Sequence, residues 1–179
     1  MRSCLCSTLV LLGALAAGCV MPMPLQAAGA RGLLRHDHPR PIPDLSFDTR
    51  TGETVTLNSL RKRITVLHLW ATWCGSCRTE FPSLLAFQEA FAGRDVALVT
   101  VSVDRLGWPI IDRTLNELSA QALPVYLDRE RQVLAALATY GLPTSLVIDA
   151  AGREIARAPG PLEWDSSEIK AIFDEWLHV

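Results

Sequence analysis

The stretch ITVLHLWATWCGSC, residues 64–77, decides how this chain is read. Its first half, ITVLHLW, is an apolar and partly β-branched run of the kind that forms a buried strand. Its second half puts Cys74 and Cys77 one helical turn apart, where that strand gives way to a helix expected over 74–92. Two thiols at a strand-to-helix junction have the geometry of a dithiol that opens and closes as a disulfide. The N-terminus of a helix carries unsatisfied N–H groups and positive dipole charge, which stabilise a thiolate. Cys74, in the first turn, is therefore the expected nucleophile. Cys77, deeper along the helix, is the thiol expected to attack the mixed disulfide and release reduced substrate.

The neighbours of the pair sharpen this picture. Glu80 follows Cys77 by three positions and shares its helix face, where a carboxylate can accept the Cys77 proton. The dipole alone also favours an acid near a helix N-terminus, and spacing does not separate the two readings. His68 is an ionisable group in an otherwise apolar strand. It reads first as a buried histidine satisfied by one hydrogen bond, with a proton relay beneath Cys77 as the sharper alternative. Trp70 reads as core, whereas Trp73, directly before the nucleophile, borders the expected substrate surface. Pro82 falls inside the helical pattern and is expected to kink it.

A second feature is GLPTSLVID, residues 141–149, in which Pro143 directly precedes a buried strand. A cis Leu142–Pro143 bond suits a tight corner that carries function, although most X-Pro bonds are trans. Further expected elements are a hairpin around Gly52 built on Leu45, Phe47, Val55 and Leu57, and a helical turn over 58–60. Strands are expected over 96–103, 123–127, 145–149 and 154–158, and helices over 108–120, 131–139 and 164–177, the last capped by Asp165 or Ser166. Alternating strands and helices followed by a hairpin and a last helix give an α/β sandwich with mixed strand direction.

Length and composition bound the rest. The chain has 179 residues, 49% of them hydrophobic, and a net charge of −2, which suits one domain with a real core. Arg61, Lys62 and Arg63 form the one short basic run, so nothing calls for nucleic acid. Residues 1–30 read as a targeting segment, with Arg2 ahead of an apolar stretch over 8–20 that is short for a membrane span. Two processing readings are open. Ala28-Gly29-Ala30 is a site for ordinary signal cleavage, and Leu15-Ala16-Ala17-Gly18-Cys19 resembles a lipobox that would lipidate Cys19 and anchor the N-terminus to a membrane. Either way Cys4 and Cys6 are removed, and the exported domain keeps Cys74 and Cys77 as its free thiols. Residues 31–43, rich in Pro, Arg and His, read as a tether, with His36 and His38 as linker residues rather than metal ligands, and the domain as 44–179. One Cys pair without a second pair or an H-x-x-x-H partner is a poor zinc site, so neither metal nor cofactor is expected.

Taken together these motifs resemble thioredoxin-like proteins, specifically exported TlpA/ResA-like thiol:disulfide oxidoreductases. The resemblance covers 43–177 and rests on Pro43-Asp44-Leu45, on WATWCGSCRTEFP over 70–82, on GLPTSLVID, and on Gly160-Pro161-Leu162-Glu163-Trp164. It implies a thioredoxin-like fold with an N-terminal β-hairpin and a strand–helix insertion before a cis Pro143 that faces the dithiol. It implies that the backbone at Leu142, with Pro143, Thr144 and Trp73, receives an extended substrate segment by strand addition. Glu80 matches the position of an acid tied to the chemistry of the buried thiol. Family members work outside the cytoplasm, here the periplasm, free or lipid-anchored, and reduce disulfides of client proteins such as apocytochromes c and copper-site proteins. A membrane thiol-transfer protein re-reduces them. Ser76 stands where Pro is often found, and His68 where Asn or an acid is usual, which bears on reducing strength. A thiol peroxidase of the peroxiredoxin type, with Thr72 ahead of Cys74, is one alternative. A non-enzymatic copper-handling assembly factor is another, poorly served because His178 is the one His after His68.

Overall fold

Strand β4 (Ile64–Trp70) is buried at all seven positions, because it lies mid-sheet with both edges paired and both faces covered. The computed structural model describes residues 32–178, so the targeting readings for 1–30 and Cys19 lie outside the described residues. On one side β4 pairs in parallel with β5 (Val96–Ser102), and on the other antiparallel with β7 (Thr144–Asp149). The remaining strands are β1 (Leu34–Pro41), β2 (Ser46–Asp48), β3 (Thr54–Thr56), β6 (Val125–Leu127) and β8 (Arg153–Ala158). They complete one eight-stranded sheet in the order β1-β8-β7-β4-β5-β6-β2-β3.

The helices are α1 (Leu57–Leu60), α2 (Gly75–Ala90), α3 (Trp108–Glu117), α4 (Gln132–Ala136) and α5 (Ser167–His178). Helix α2 follows β4 directly and packs through an aromatic cluster. Phe81 meets the edge of Trp70 at 4.8 Å, and Phe87 contacts both Trp164 and Phe173 ahead of and on α5, at 5.3 and 4.9 Å. Each such ring contributes about 1.5–3 kcal/mol on burial, so α2 and α5 are held as one layer against β4. The Ser166 hydroxyl accepts the Ile169 N–H at 3.3 Å, which settles the cap of α5 between its two candidates.

The hairpin is β2 with β3, the helical turn is α1, and the insertion ahead of Pro143 corresponds to β6 and α4. The Leu142–Pro143 bond is cis. One expectation is corrected. Residues 34–41 are not a tether before a domain starting at 44; they form β1, an edge strand paired antiparallel with β8. His36 of this strand meets Glu154 at 2.8 Å, Glu154 is bound at both oxygens by Arg157, and Arg157 reaches the Leu137 carbonyl at 3.0 Å. Arg35 adds an ion pair with Glu175 and a guanidinium over Trp176. Pro82 lies inside α2, which runs as one element from Gly75 to Ala90, as the helical pattern through it indicates.

Candidate active site

The end of β4 and the start of α2 are joined by a loop, residues 71–74, fastened from β5. Asp104, just past β5 and buried, receives the Thr72 N–H and the Thr72 hydroxyl at 2.8 Å each, and the Ser102 hydroxyl at 2.7 Å. The Val103 N–H donates to the Trp70 carbonyl at 3.0 Å. These bonds fix where α2 begins. The sequence alone does not single out Asp104. Its one signal is an acid immediately after a β-branched run, which alone does not reveal a partner thirty residues upstream.

Cys74 is the N-cap of α2, and its Sγ accepts the Cys77 N–H at 3.2 Å. The Ser76 hydroxyl lies 3.5 Å from the same sulfur. The two cysteines are joined as a disulfide with a Cα–Cα distance of 5.3 Å. Cys74 keeps 7% of its surface exposed and Cys77 none, so an incoming group reaches Cys74 first. Thr144 pairs with Leu69 in the β4–β7 register, which brings the cis Leu142–Pro143 corner to the end of the sheet from which the dithiol loop departs. The Thr144 hydroxyl donates to the Gly141 carbonyl at 2.8 Å and holds that corner. Trp73 is 62% exposed, with the Arg131 guanidinium 5.7 Å over its ring. Trp70 is fully buried.

Glu80 is buried on α2. Its Oε1 accepts the Leu162 N–H at 3.0 Å and the Trp164 Nε1–H, while Oε2 has no protein partner. Burial pushes its carboxyl up to about 7, against the Trp164 and Leu162 hydrogen bonds, which pull it down. In the sequence, the segment carrying Leu162 and Trp164 stands out only through the family resemblance. The structure makes it the mount of Glu80. His68 is fully buried, with Nδ1 2.9 Å from the Ser145 hydroxyl and Nε2 unpartnered. This matches the reading of a histidine satisfied by one hydrogen bond, and burial pushes its pKa down to about 3.

That depression has a measurable sign. His68 folds neutral, so its contribution to stability is present above its ordinary value of 6.5 and is lost as pH falls toward 3. Each pH unit in that window costs ~1.4 kcal/mol. Between pH 6.5 and 4.5 the protein is expected to lose about 2–3 kcal/mol relative to a His68→Asn variant, measured by urea denaturation at each pH. Parallel profiles for the two proteins would mean that His68 is not buried neutral.

Among the described residues no group of three or more His, Cys, Asp or Glu side chains is placed to hold a metal ion. No described helix is long and apolar enough to cross a membrane.

Comparison with known proteins agrees with this geometry. The AhpC/TSA family matches residues 39–158, more than half of the chain. The chain is 28% identical to thiol-disulfide oxidoreductase ResA of Bacillus subtilis over 120 residues, which is 67% of this chain and 66% of ResA. It is 31% identical to thioredoxin-like protein YneN of the same organism over 110 residues, 62% of this chain and 52% of YneN. It thus spans between about half and two thirds of the length of these curated relatives. Among solved structures, a Chlorobium tepidum protein described as thiol:disulfide interchange protein DsbE superposes with a TM-score of 0.69 at 26% identity, covering 79% of this chain and 98% of that one. StoA of Bacillus subtilis shares the fold, with a TM-score of 0.60 at 22% identity over 75% of this chain and 96% of that one.

Proposed function

The chain belongs to the AhpC/TSA family and folds as a thioredoxin-like domain, and on that premise we propose that it is an exported thiol:disulfide oxidoreductase that reduces disulfides of particular client proteins. The observation that carries the reading is the Cys74–Cys77 pair at the N-terminus of α2, with a sliver of Cys74 exposed and Cys77 fully buried. In the reduced protein the Cys74 thiolate attacks one sulfur of a client disulfide, and the other client sulfur leaves as a thiolate. Glu80 takes the Cys77 proton. The Cys77 thiolate then attacks the Cys74 sulfur, the second client sulfur departs, and two electrons have moved to the client. Leu142, Pro143 and Thr144 receive an extended client segment by strand addition, beside the exposed face of Trp73. Apocytochromes c awaiting haem and copper-site proteins are the clients that the resemblance suggests, with a membrane thiol-transfer protein as the reductant. Export is supported by the leader-like composition of residues 1–30, with lipidation at Cys19 as the anchored form.

Alkylation trapping in living cells tests the direction of transfer. A reductase holds Cys74 and Cys77 mostly as thiols, and a fully oxidised population would assign the protein an oxidant role instead.

The family match also admits a thiol peroxidase. Against it, the Thr72 hydroxyl is committed to Asp104 and Cys74 is paired locally with Cys77. Peroxide consumption that outruns disulfide reduction would reverse this ranking.

A further inference from the structure

Beside the dithiol runs a groove of about 480 Å³ whose wall includes Thr72 and Trp73, the two residues directly before Cys74. Arg78, Arg105, Arg113 and Arg131 also line it. Four guanidiniums on one wall stand out in a chain whose net charge is −2. Two carboxylates share that wall. Asp104 is buried and already committed to Thr72 and Ser102. Glu117 meets Arg113 at 2.9 Å and Arg78 at 3.3 Å. Among the described residues Arg105 has no carboxylate partner within ion-pair distance, and the wall keeps a net positive charge.

The groove has a fixed and an open part. Arg131 donates from Nε to the Val103 carbonyl at 3.0 Å while its guanidinium lies over Trp73. Arg131 also holds a left-handed backbone at φ 59°, a conformation that a non-glycine residue adopts only at a cost. Its placement is therefore maintained against strain. Leu106, 77% exposed, and Trp73, 62% exposed, give the rim two apolar contacts next to the charges. A concave wall with exposed guanidiniums and apolar rim contacts suits a polypeptide segment, which follows its curvature, better than a flat lipid surface.

We propose that this groove selects clients by charge, receiving a polypeptide segment that carries Asp or Glu and adjoins the client disulfide. The proposal rests on the exchange reading above and adds to it a recognition surface separate from the Leu142 to Thr144 corner. Guanidiniums pair with carboxylates in bidentate fashion, and several such pairs along one wall raise the encounter rate and hold register.

Three disulfide peptides of equal length, flanked by Glu, Lys or Ser, test it with the full-length reduced protein. The second-order rate of reduction is read by stopped flow at low and high salt. The Glu peptide is expected to react about tenfold faster than the Lys peptide at low salt, and the ratio to fall toward about twofold at 0.5 M salt as the charges are screened. In an Arg105→Glu, Arg113→Glu double variant the order of the two peptides is expected to invert, a ratio that is insensitive to the amount of folded protein. Equal rates for the Glu and Lys peptides, or a Glu preference that survives in the double variant, overturn the proposal while leaving exchange chemistry standing. Anionic lipid vesicles that slow all three peptides alike overturn it in favour of a membrane contact. Failure to reduce any of the three peptides removes the exchange reading itself.

Discussion

A Cys77→Ser variant is expected to accumulate on its client as a stable mixed disulfide through Cys74, with turnover reduced by at least about a thousandfold. Cys74 keeps some exposed surface at the start of α2, and Cys77 is fully buried one turn further in. Cys74 also accepts the Cys77 N–H at 3.2 Å, and this bond together with the helix dipole stabilises a thiolate there. Attack by Cys74 survives the substitution, and release does not. Release normally comes from a thiol held a few ångströms away, and such intramolecular groups reach effective molarities of about 10⁵ M and above. External thiols at millimolar concentration do not replace that. Non-reducing electrophoresis of cells carrying the variant should show an adduct that a reductant dissolves. Cys74→Ser should show none. Equal trapping by both variants, or turnover of Cys77→Ser within tenfold of the parent, would sink the assigned roles.

The second large effect concerns Glu80. Glu80→Gln is expected to slow release of the mixed disulfide about a hundredfold and to erase a rise in rate centred near pH 7. Glutamine keeps an oxygen for the Leu162 N–H and the Trp164 Nε1–H, so the mount of the side chain survives. What is lost is a base whose pKa of about 7 lies at the working pH, where proton transfer is most effective. Below pH 7 the carboxyl is protonated and cannot take the Cys77 proton; above it the carboxylate can. The same shift predicts stability of the opposite sign. The folded pKa of Glu80 lies above its ordinary 4.5, so its contribution is complete below pH 4.5 and declines as pH rises to 7. Relative to the parent, Glu80→Gln should therefore gain about 3 kcal/mol between pH 4.5 and 7.5, read by denaturant titration. A purely structural Glu80 would reproduce the stability change without moving the pH profile of the rate.

The strand–helix unit around the dithiol was legible because its signals are local. A run of apolar residues marks β4, two cysteines at turn spacing mark the start of α2, and both elements follow where expected. The hairpin of β2 and β3 was legible from apolar residues on either side of a glycine turn. Strand β1 was not. Its residues LRHDHPRP are almost all exposed, so no alternation of apolar and polar positions can appear in it. An edge strand of this kind is defined by its pairing with β8 and by the buried Glu154 that His36 meets, and both belong to a segment more than a hundred residues away. Pro82 sits inside α2, as the helical pattern indicated. A proline removes one helix hydrogen bond, but packing of Phe81, Leu84 and Phe87 into the core outweighs that loss and carries α2 through it.

By itself, the sequence of this protein determined the candidate site groups and their order: which thiol stands at the helix start, which lies a turn deeper, which acid follows, and which proline opens the last sheet hairpin. Those are matters of spacing along one chain, and helix and strand geometry convert spacing directly into placement. The tertiary structure alone decided how those groups are tuned and what surrounds them. Glu80 is raised by burial against Trp164 and Leu162, His68 is neutralised by burial beside Ser145, the dithiol loop is fastened by Asp104, and the cationic wall is assembled from α2, α3 and the loops before α3 and α4. Desolvation and charge act through space, and the residues that supply them here are brought together from opposite ends of the domain only when the sheet has closed.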